Sequence, residues 1–330
     1  MSNIHEAEQA FNQVNQETYR LHYHLMPPVG SLADPNGMCQ IGDTYHIYYI
    51  YNPLACITDE RTACVWGHYS TQDFVHFKRE KIAIYPDSQY DKDGVYSGSS
   101  LLESGVLHVF YTGNVRYTGD YDYVTSGREQ NVLSVSSLDG IHFNHKQLLM
   151  TNKDFPHTMT KHVRDPQIFK EDNQYYMVLG ARHLENKGLV LIYESQDMTH
   201  WTYLNELTTS NTFGYMWECP DFFKLDGKYV LLTSPQDMLA EGMEYYSGNG
   251  TLCIIGEMDP DTHTLKEENH QSVDYGIDFY AMQTVEAPDG RRIMIGWMQN
   301  WDTLSHRCEE SKWFAQMSLP RELSVKNGRL

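Results

Sequence analysis

The chain has no apolar run long enough to cross a membrane, so no transmembrane helix is expected. Its opening residues, MSNIHEAEQAFNQVNQ, lack the basic start and apolar stretch of a secretory signal. Six cysteines, Cys39, Cys56, Cys64, Cys219, Cys253 and Cys308, are scattered, with no C-x-x-C pair or other zinc spacing. They read as free thiols, and a cytoplasmic location is expected. Basic residues are scarce: 25 Lys and Arg face 44 Asp and Glu, for a net charge of −19. Nucleic acid and anionic membrane, which recruit basic patches, are therefore not expected as partners. Helical periodicity is also nearly absent. Residues 5–19, HEAEQAFNQVNQETY, are the best helix candidate, within an N-terminal segment placed at 1–21.

What is present recurs. IGDTYHIYYI (41–50), ESGVLHVFYTG (103–113), EDNQYYMVLGA (171–181), LDGKYVLLTSP (225–235) and APDGRRIMIGWM (287–298) each read as a tight turn followed by a buried strand. With Tyr45, Leu107, Tyr175, Tyr229 and Arg292 as equivalents, the period is about 54 to 68 residues, in the range of propellers and arrays. A second signature, Asp-x-x-His-aromatic, follows three copies, at Asp73–Phe77, Asp139–Phe143 and Asp197–Trp201. It suits a turn leading into an edge strand. Together these units predict an all-β fold, a five-bladed β-propeller over residues 22–330, with blades beginning near 33, 95, 164, 217 and 278.

One position in each unit falls 10 or 11 residues before the equivalenced residue: Asp34, Ser97, Asp165, Glu218 and Met282. The first strand of a propeller blade lines the central channel, so this spacing places three carboxylates at one phase around one axis. A single Asp or Glu is usually surface charge. Three in register point to acid–base chemistry on a neutral, polar substrate. Glycoside hydrolysis needs two carboxyl groups flanking the bond that breaks, and a third can hold sugar hydroxyls. The acids alone select neither the sugar nor retention over inversion.

The wording of the motifs narrows this. LMPPVGSLADPNG (25–37), YSGSS (96–100), VRDPQIF (163–169), WECPDF (217–222), DFYAMQT (278–284) and MSLPREL (317–323) occur in this order. Together they resemble glycoside hydrolase family 32, the invertases, sucrose-6-phosphate hydrolases and fructan hydrolases, over about residues 22–323. The resemblance implies a retaining glycosidase acting on β-fructofuranosides, with no cofactor and no metal. It implies Asp34 as nucleophile, Glu218 as acid/base and Asp165 as transition-state stabiliser. Arg164 and Cys219 would tune the acid/base. Asn36, Ile50, Tyr96, Ser97, Tyr280 and Trp297 would belong to the substrate pocket. The expected partner is a small carbohydrate; a phosphate on it would call for bases at the mouth, for which Arg61, Arg116 and Lys161 are candidates.

Four departures bear on specificity. Ser31 and Ala33 stand where the family carries Trp and Asn, and Ile50 stands where it carries Gln. A Trp usual in the following loop is missing from Leu54–Val65. These changes remove hydrogen bonds and a stacking wall around the fructose unit, which leaves a shifted specificity open. Fructosyl transfer, an inverting five-bladed glycosidase and a non-catalytic sugar-binding propeller also stay open. Family members continue into a β-sandwich after the last motif, whereas this sequence ends at Leu330. The uncovered face would be apolar and could support a homo-oligomer.

Overall fold

Short turns that tolerate positive φ decide where this chain doubles back. Glycine opens the Gly42–Asp43 turn, and Ser104–Gly105, Asp172–Asn173 and Asp226–Gly227 each hold two successive residues at positive φ, as type I′ hairpins require. The computed structural model describes residues 14, 19–56, 62–245, 248–302 and 311–330. The helix expected over 5–19 lies outside them, apart from Val14 and Tyr19. Among the described residues the strands form five sheets.

The first sheet holds β1 (Gly30–Ile41), β2 (Thr44–Asn52), β3 (Val65–Thr71) and β4 (Phe77–Arg79). The second holds β5 (Val95–Glu103), β6 (Val106–Arg116), β7 (Arg128–Ser137) and β8 (Gln147–Met150). The third holds β9 (Met159–Glu171), β10 (Gln174–His183), β11 (Gly188–Ser195) and β12 (Thr202–Leu207). The fourth holds β13 (Met216–Leu225), β14 (Lys228–Gln236), β15 (Leu252–Asp259) and β16 (Thr264–Gln271). The fifth begins with β17 (Tyr280–Glu286) and β18 (Arg292–Trp297). The chain then passes through β19 (Trp313–Phe314), which pairs in parallel with β1, before β20 (Arg321–Leu323) completes the fifth sheet. This is a five-bladed propeller whose blades start within a few residues of the predicted positions.

The middle strands read as unbroken apolar runs because both faces are covered. On β2, Tyr48 packs toward the second blade with Trp66, Val95 and Tyr111, while Tyr49 and Tyr51 pack toward the fifth with Tyr280 and Trp297. The Asp-x-x-His turns join third to fourth strands. In each, the Asp accepts backbone N–H groups two and three residues on, and its second oxygen meets the His Nδ1 at 2.7 Å. The residue after the Asp is left-handed in all three, at φ 56 for Phe74, 71 for Gly140 and 61 for Met198. Phe77, Phe143 and Trp201 then pack into inter-blade clusters, while the three histidines stay exposed.

The channel strands are stitched by one buried polar side chain per blade. Asn36 accepts from Gly98 N at 2.9 Å, Ser99 from Ile168 N at 2.9 Å, Gln167 from Phe222 N at 3.3 Å and Asp221 from Thr284 N at 2.6 Å. Gln283 donates to Gly98 O at 2.7 Å. Each bond runs to another blade's first strand. Left unpaired, any of these buried groups would cost roughly 1–3 kcal/mol, so these bonds hold the channel strands at fixed distances from one another.

Candidate active site

Above these bonds every channel strand carries a bulge, and the bulges deliver the acids. Register shifts fall at Leu32/Pro35, Tyr96/Gly98, Glu218/Asp221 and Tyr280/Gln283, and β9 skips between Arg164 and Gln167. Asp165, Cys219 and Ala281 hold the same bulge position, all left-handed at φ 62, 47 and 49. Counting back from the stitching side chains, Asp34 and Ser97 are their equivalents in the first two blades.

The three acids therefore do not share one phase. Asp34 and Asp165 do, but the fourth blade presents Cys219 there. Glu218 comes one residue earlier, level with Arg164 and Tyr280, and the fifth blade's equivalent is Ala281, not Met282. The spacing from the turns is 10 or 11 residues, and a bulge absorbs that one-residue difference. Because the bulge residue is left-handed, consecutive side chains such as Glu218 and Cys219 both reach the site.

The acids nevertheless converge. Asp34 Oδ2 accepts from Ser97 Oγ at 2.5 Å and lies 3.6 Å from Cys219 Sγ, which is also 3.7 Å from Asp165 Oδ2. Asp34 Oδ1 is buried and has no hydrogen-bond partner among the described residues. Burial, reinforced by the charge of Glu218, pushes the Asp34 carboxyl up to about 6 against the pull of Ser97. Asp165 accepts from Cys219 N at 2.9 Å and sits 3.8 Å from Arg164 Nε. Burial raises its pKa; Arg164 works against that rise and Glu218 adds to it. The Cys219 thiol, buried between the two aspartates, is pushed well up and stays protonated, as a donor.

Glu218 is held on both oxygens. Arg164 donates to Oε1 through Nε at 3.0 Å and NH2 at 2.5 Å. Tyr280 OH and Gln236 Nε2 donate to Oε2 at 2.7 and 2.8 Å. Burial works against the charge of Arg164, but Glu218 and Asp165 outweigh it and keep the guanidinium firmly cationic. Burial, then the Glu218 charge, drives the Tyr280 phenol well up, so it serves as a donor.

The other predicted pocket residues divide. Ser97 and Tyr280 touch the acids. Trp297 packs edge-on to Tyr280, is tilted against exposed Trp301, and keeps a buried indole N–H without a partner among the described residues. Tyr96 is half-buried on β5, level with Glu218, and its carbonyl accepts from Trp66 Nε1 at 3.0 Å. Ile50 lies across from the Ala33–Asp34 bulge and packs between the first two blades. Asn36 is fully buried beneath the pocket and spends its amide on Asp34 O and Gly98 N, so it holds backbone.

Sequence reasoning missed three supports. Gln236 steadies Glu218, while Gln130 Oε1 and His162 Nδ1 accept from Arg164 NH1 at 3.2 and 2.7 Å. His162 was findable by strand alternation, two residues before Arg164. Gln236 and Gln130 stand on neighbouring strands, where only register reveals them. Of the bases considered for a phosphate, Arg61 lies outside the described residues, and Arg116 and Lys161 stand on the rim of the second and third blades. Among the described residues no group of three or more His, Cys, Asp or Glu could hold a metal, and no helix is long and apolar enough to cross a membrane.

The far end of the channel is chemically different. A cavity of about 680 Å³ opens there, but its acids are committed, Glu171 to Lys224, Glu286 to Arg292 and Asp221 to the Thr284 N–H. Unsatisfied acid and converging donors occur at the Asp34 end.

Comparison with known proteins agrees with this geometry. Residues 24–330 match the model of the glycosyl hydrolases family 32 N-terminal domain. A sucrose-6-phosphate hydrolase of Bacillus subtilis is 38% identical over 332 residues, covering 98% of this chain and 67% of that protein. A GH32 beta-fructofuranosidase of Bombyx mori superposes with a TM-score of 0.86 at 31% identity, over 99% of this chain and 68% of that one. A sucrose-6-phosphate hydrolase of Lactobacillus gasseri superposes with a TM-score of 0.87 at 28% identity, over 99% of this chain and 65% of that one. The chain thus spans about two thirds of the length of these relatives.

Proposed function

Because the chain belongs to glycoside hydrolase family 32, it is a glycosidase of the β-fructofuranosidase kind, and we propose that it cleaves its substrate with retention through a fructosyl ester on Asp34. The observation that carries this reading is the asymmetry of the Asp34 carboxylate. Ser97 and Cys219 fix one oxygen, while the other is buried, has no partner among the described residues and is placed to attack.

In the first step Asp34 Oδ1 bonds to the anomeric carbon as the glycosidic bond breaks. Glu218 gives its proton to the departing oxygen. In the second step Glu218 takes a proton from water, which attacks the same carbon and frees Asp34. Two displacements restore the starting configuration. Asp165 accepts from fructose hydroxyls and steadies positive charge on the ring. Arg164, Tyr280 and Gln236 supply donors that aim Glu218 and stabilise it each time it becomes a carboxylate. The Trp297 N–H, without a partner among the described residues, supplies a further donor to the sugar. As substrate class we take sucrose 6-phosphate, following the names of the Bacillus and Lactobacillus relatives, and sucrose, following the Bombyx enzyme solved with it.

Product configuration tests the mechanism. Early-time NMR of the released fructose is expected to show the β-furanose form; release of the α anomer would remove Asp34 from the nucleophile's role. The acid side of the pH profile gives a second check. Asp34 must be ionised to attack, so kcat/KM on sucrose is expected to fall below about pH 6. Ser97 donates to that carboxylate and lowers its pKa, so Ser97→Ala is expected to move the acid limb to higher pH. A limb that stays in place would separate it from Asp34.

A further inference from the structure

Bases are the minority charge in this chain, yet three arginines, Arg164, Arg128 and Arg182, crowd His162 beside the candidate acid/base, and a fourth, Arg116, reaches it through Tyr123. Arg116 and Arg128 stand directly opposite each other on β6 and β7, a like-charge pair that costs stability unless something compensates it. Arg116 stacks on the Tyr123 ring at 3.6 Å, and the Tyr123 carbonyl lies 3.0 Å from His162 Nε2. Arg128 NH1 and Arg164 NH1 approach His162 Nδ1 at 3.2 and 2.7 Å. Arg182, on β10, stacks over Tyr215 at 4.8 Å and bonds Asn186 at 2.7 Å; its Nε is buried without a partner among the described residues. Burial, then the charges of Arg164, Arg128 and Arg182, hold His162 neutral.

Nearby acids are committed elsewhere. Asp93 accepts the backbone N–H of Arg116 at 2.8 Å, Glu129 accepts from Tyr117 OH at 2.9 Å, and Asp122 caps its own loop. Among the described residues neither Arg116 nor Arg182 forms an ion pair, whereas Arg164 is matched by Glu218.

The cluster also has a direction. His162 precedes Arg164 by two residues on β9, on the same face and about 6–7 Å nearer the mouth. Arg164 grips Glu218, the group assigned above to the departing oxygen. The half-buried bases therefore lie beyond Glu218, on the leaving-group side, where the second sugar of a disaccharide sits.

Resting on the fructosidase reading, we infer that Arg116, Arg128 and Arg182, arrayed around His162, form the subsite that binds a phosphoryl group carried by the leaving sugar. Half-burial excludes enough water to make a dianion worth binding, and fixed guanidinium forks suit phosphate oxygens. His162 takes the positioning role: as a neutral acceptor it spaces Arg128 from Arg164, so the phosphate site and the acid/base share one support.

Calorimetry on the Asp34→Asn protein, which cannot turn substrate over, decides the point. Sucrose 6-phosphate is expected to bind at least tenfold more tightly than sucrose, with a preference that weakens as salt rises. Adding Arg116→Gln or Arg182→Gln should shrink that preference to about threefold or less, and Arg182→Lys should recover part of it. Inorganic phosphate should weaken binding of sucrose 6-phosphate and leave sucrose binding unaltered, which separates substrate-borne from free phosphate. An undiminished preference in either Gln variant, or no preference in the parent, overturns the subsite. The two replacements lie on different blades, so a folding defect in one leaves the other to decide. Parental protein with native Asp34 that cleaved no fructoside would instead sink the glycosidase reading, while the binding ratios would still judge the pocket.

Discussion

Asp34→Asn is expected to abolish fructoside turnover, by about 10⁴-fold or more, and at the same time to raise the melting temperature. The first effect follows from losing the nucleophile. The second follows from what the carboxylate costs. Its folded-state pKa, about 6, lies above the ordinary 3.8, so the folded protein binds this proton more tightly than the unfolded chain does. The associated stability is complete below the ordinary value and is lost as pH rises toward and through about 6. At neutral pH the ionised group is therefore a burden of roughly 1–3 kcal/mol, allowing for an Asn amide N–H that finds no acceptor in place of Oδ1. Scanning calorimetry at pH 7 should show a rise of a few degrees, and the difference from the parent should vanish near pH 4. A variant that lost activity and also melted lower would mean that Asp34 is a structural group.

Gly98→Ala is expected to destabilise the protein by roughly 3 kcal/mol or more and lower the melting temperature by about 4 °C or more. A Cβ there would sit 2.0 Å from Phe110 O and 2.5 Å from Tyr111 Cα, both backbone atoms of the paired strand β6. Neither can move without breaking the ladder. Gly98 is also where two of the stitches meet, since its N–H donates to Asn36 and its carbonyl accepts from Gln283. Displacing it would shift Ser97, and with it the fixed oxygen of Asp34. Gly105→Ala makes the contrast: nothing lies within 4 Å of its added Cβ, so only the left-handed φ of 80 is charged against it, about 1–2 kcal/mol. Equal losses at the two sites would remove the steric argument.

The fold was legible because its punctuation is chemical. Gly42–Asp43, Ser104–Gly105 and Asp226–Gly227 are short turn pairs with glycine where positive φ is needed, and the strands between them are apolar on both faces. The acids were legible as residue types in motifs, but their phase was not. A bulge adds a residue to one strand alone, so a count from the nearest turn cannot separate Glu218 from Cys219. Gln130, Gln236 and Arg182 were invisible for another reason: each reaches the site from a neighbouring strand, through a register that no single segment encodes. The phosphate candidates show the same limit. Arg116 and Lys161 could be picked as bases, whereas the company of Arg128 and His162 exists only once two blades meet.

The closure of the ring has a consequence for how the protein is made. β19 pairs with β1 at Gly30 and Ser31, Met317 N donates to Leu25 O at 2.9 Å, and β20 then finishes the fifth blade. The first blade's inner flank and the fifth blade's outer edge thus both wait for residues 313–323. During synthesis, four blades can collapse while the two ends of the circle still face water, and Asp34 lacks its wall of Tyr280 and Trp297 until the fifth blade follows. A nascent chain stalled short of that clasp would be an open arc, its acids in hand but its binding hollow unbuilt.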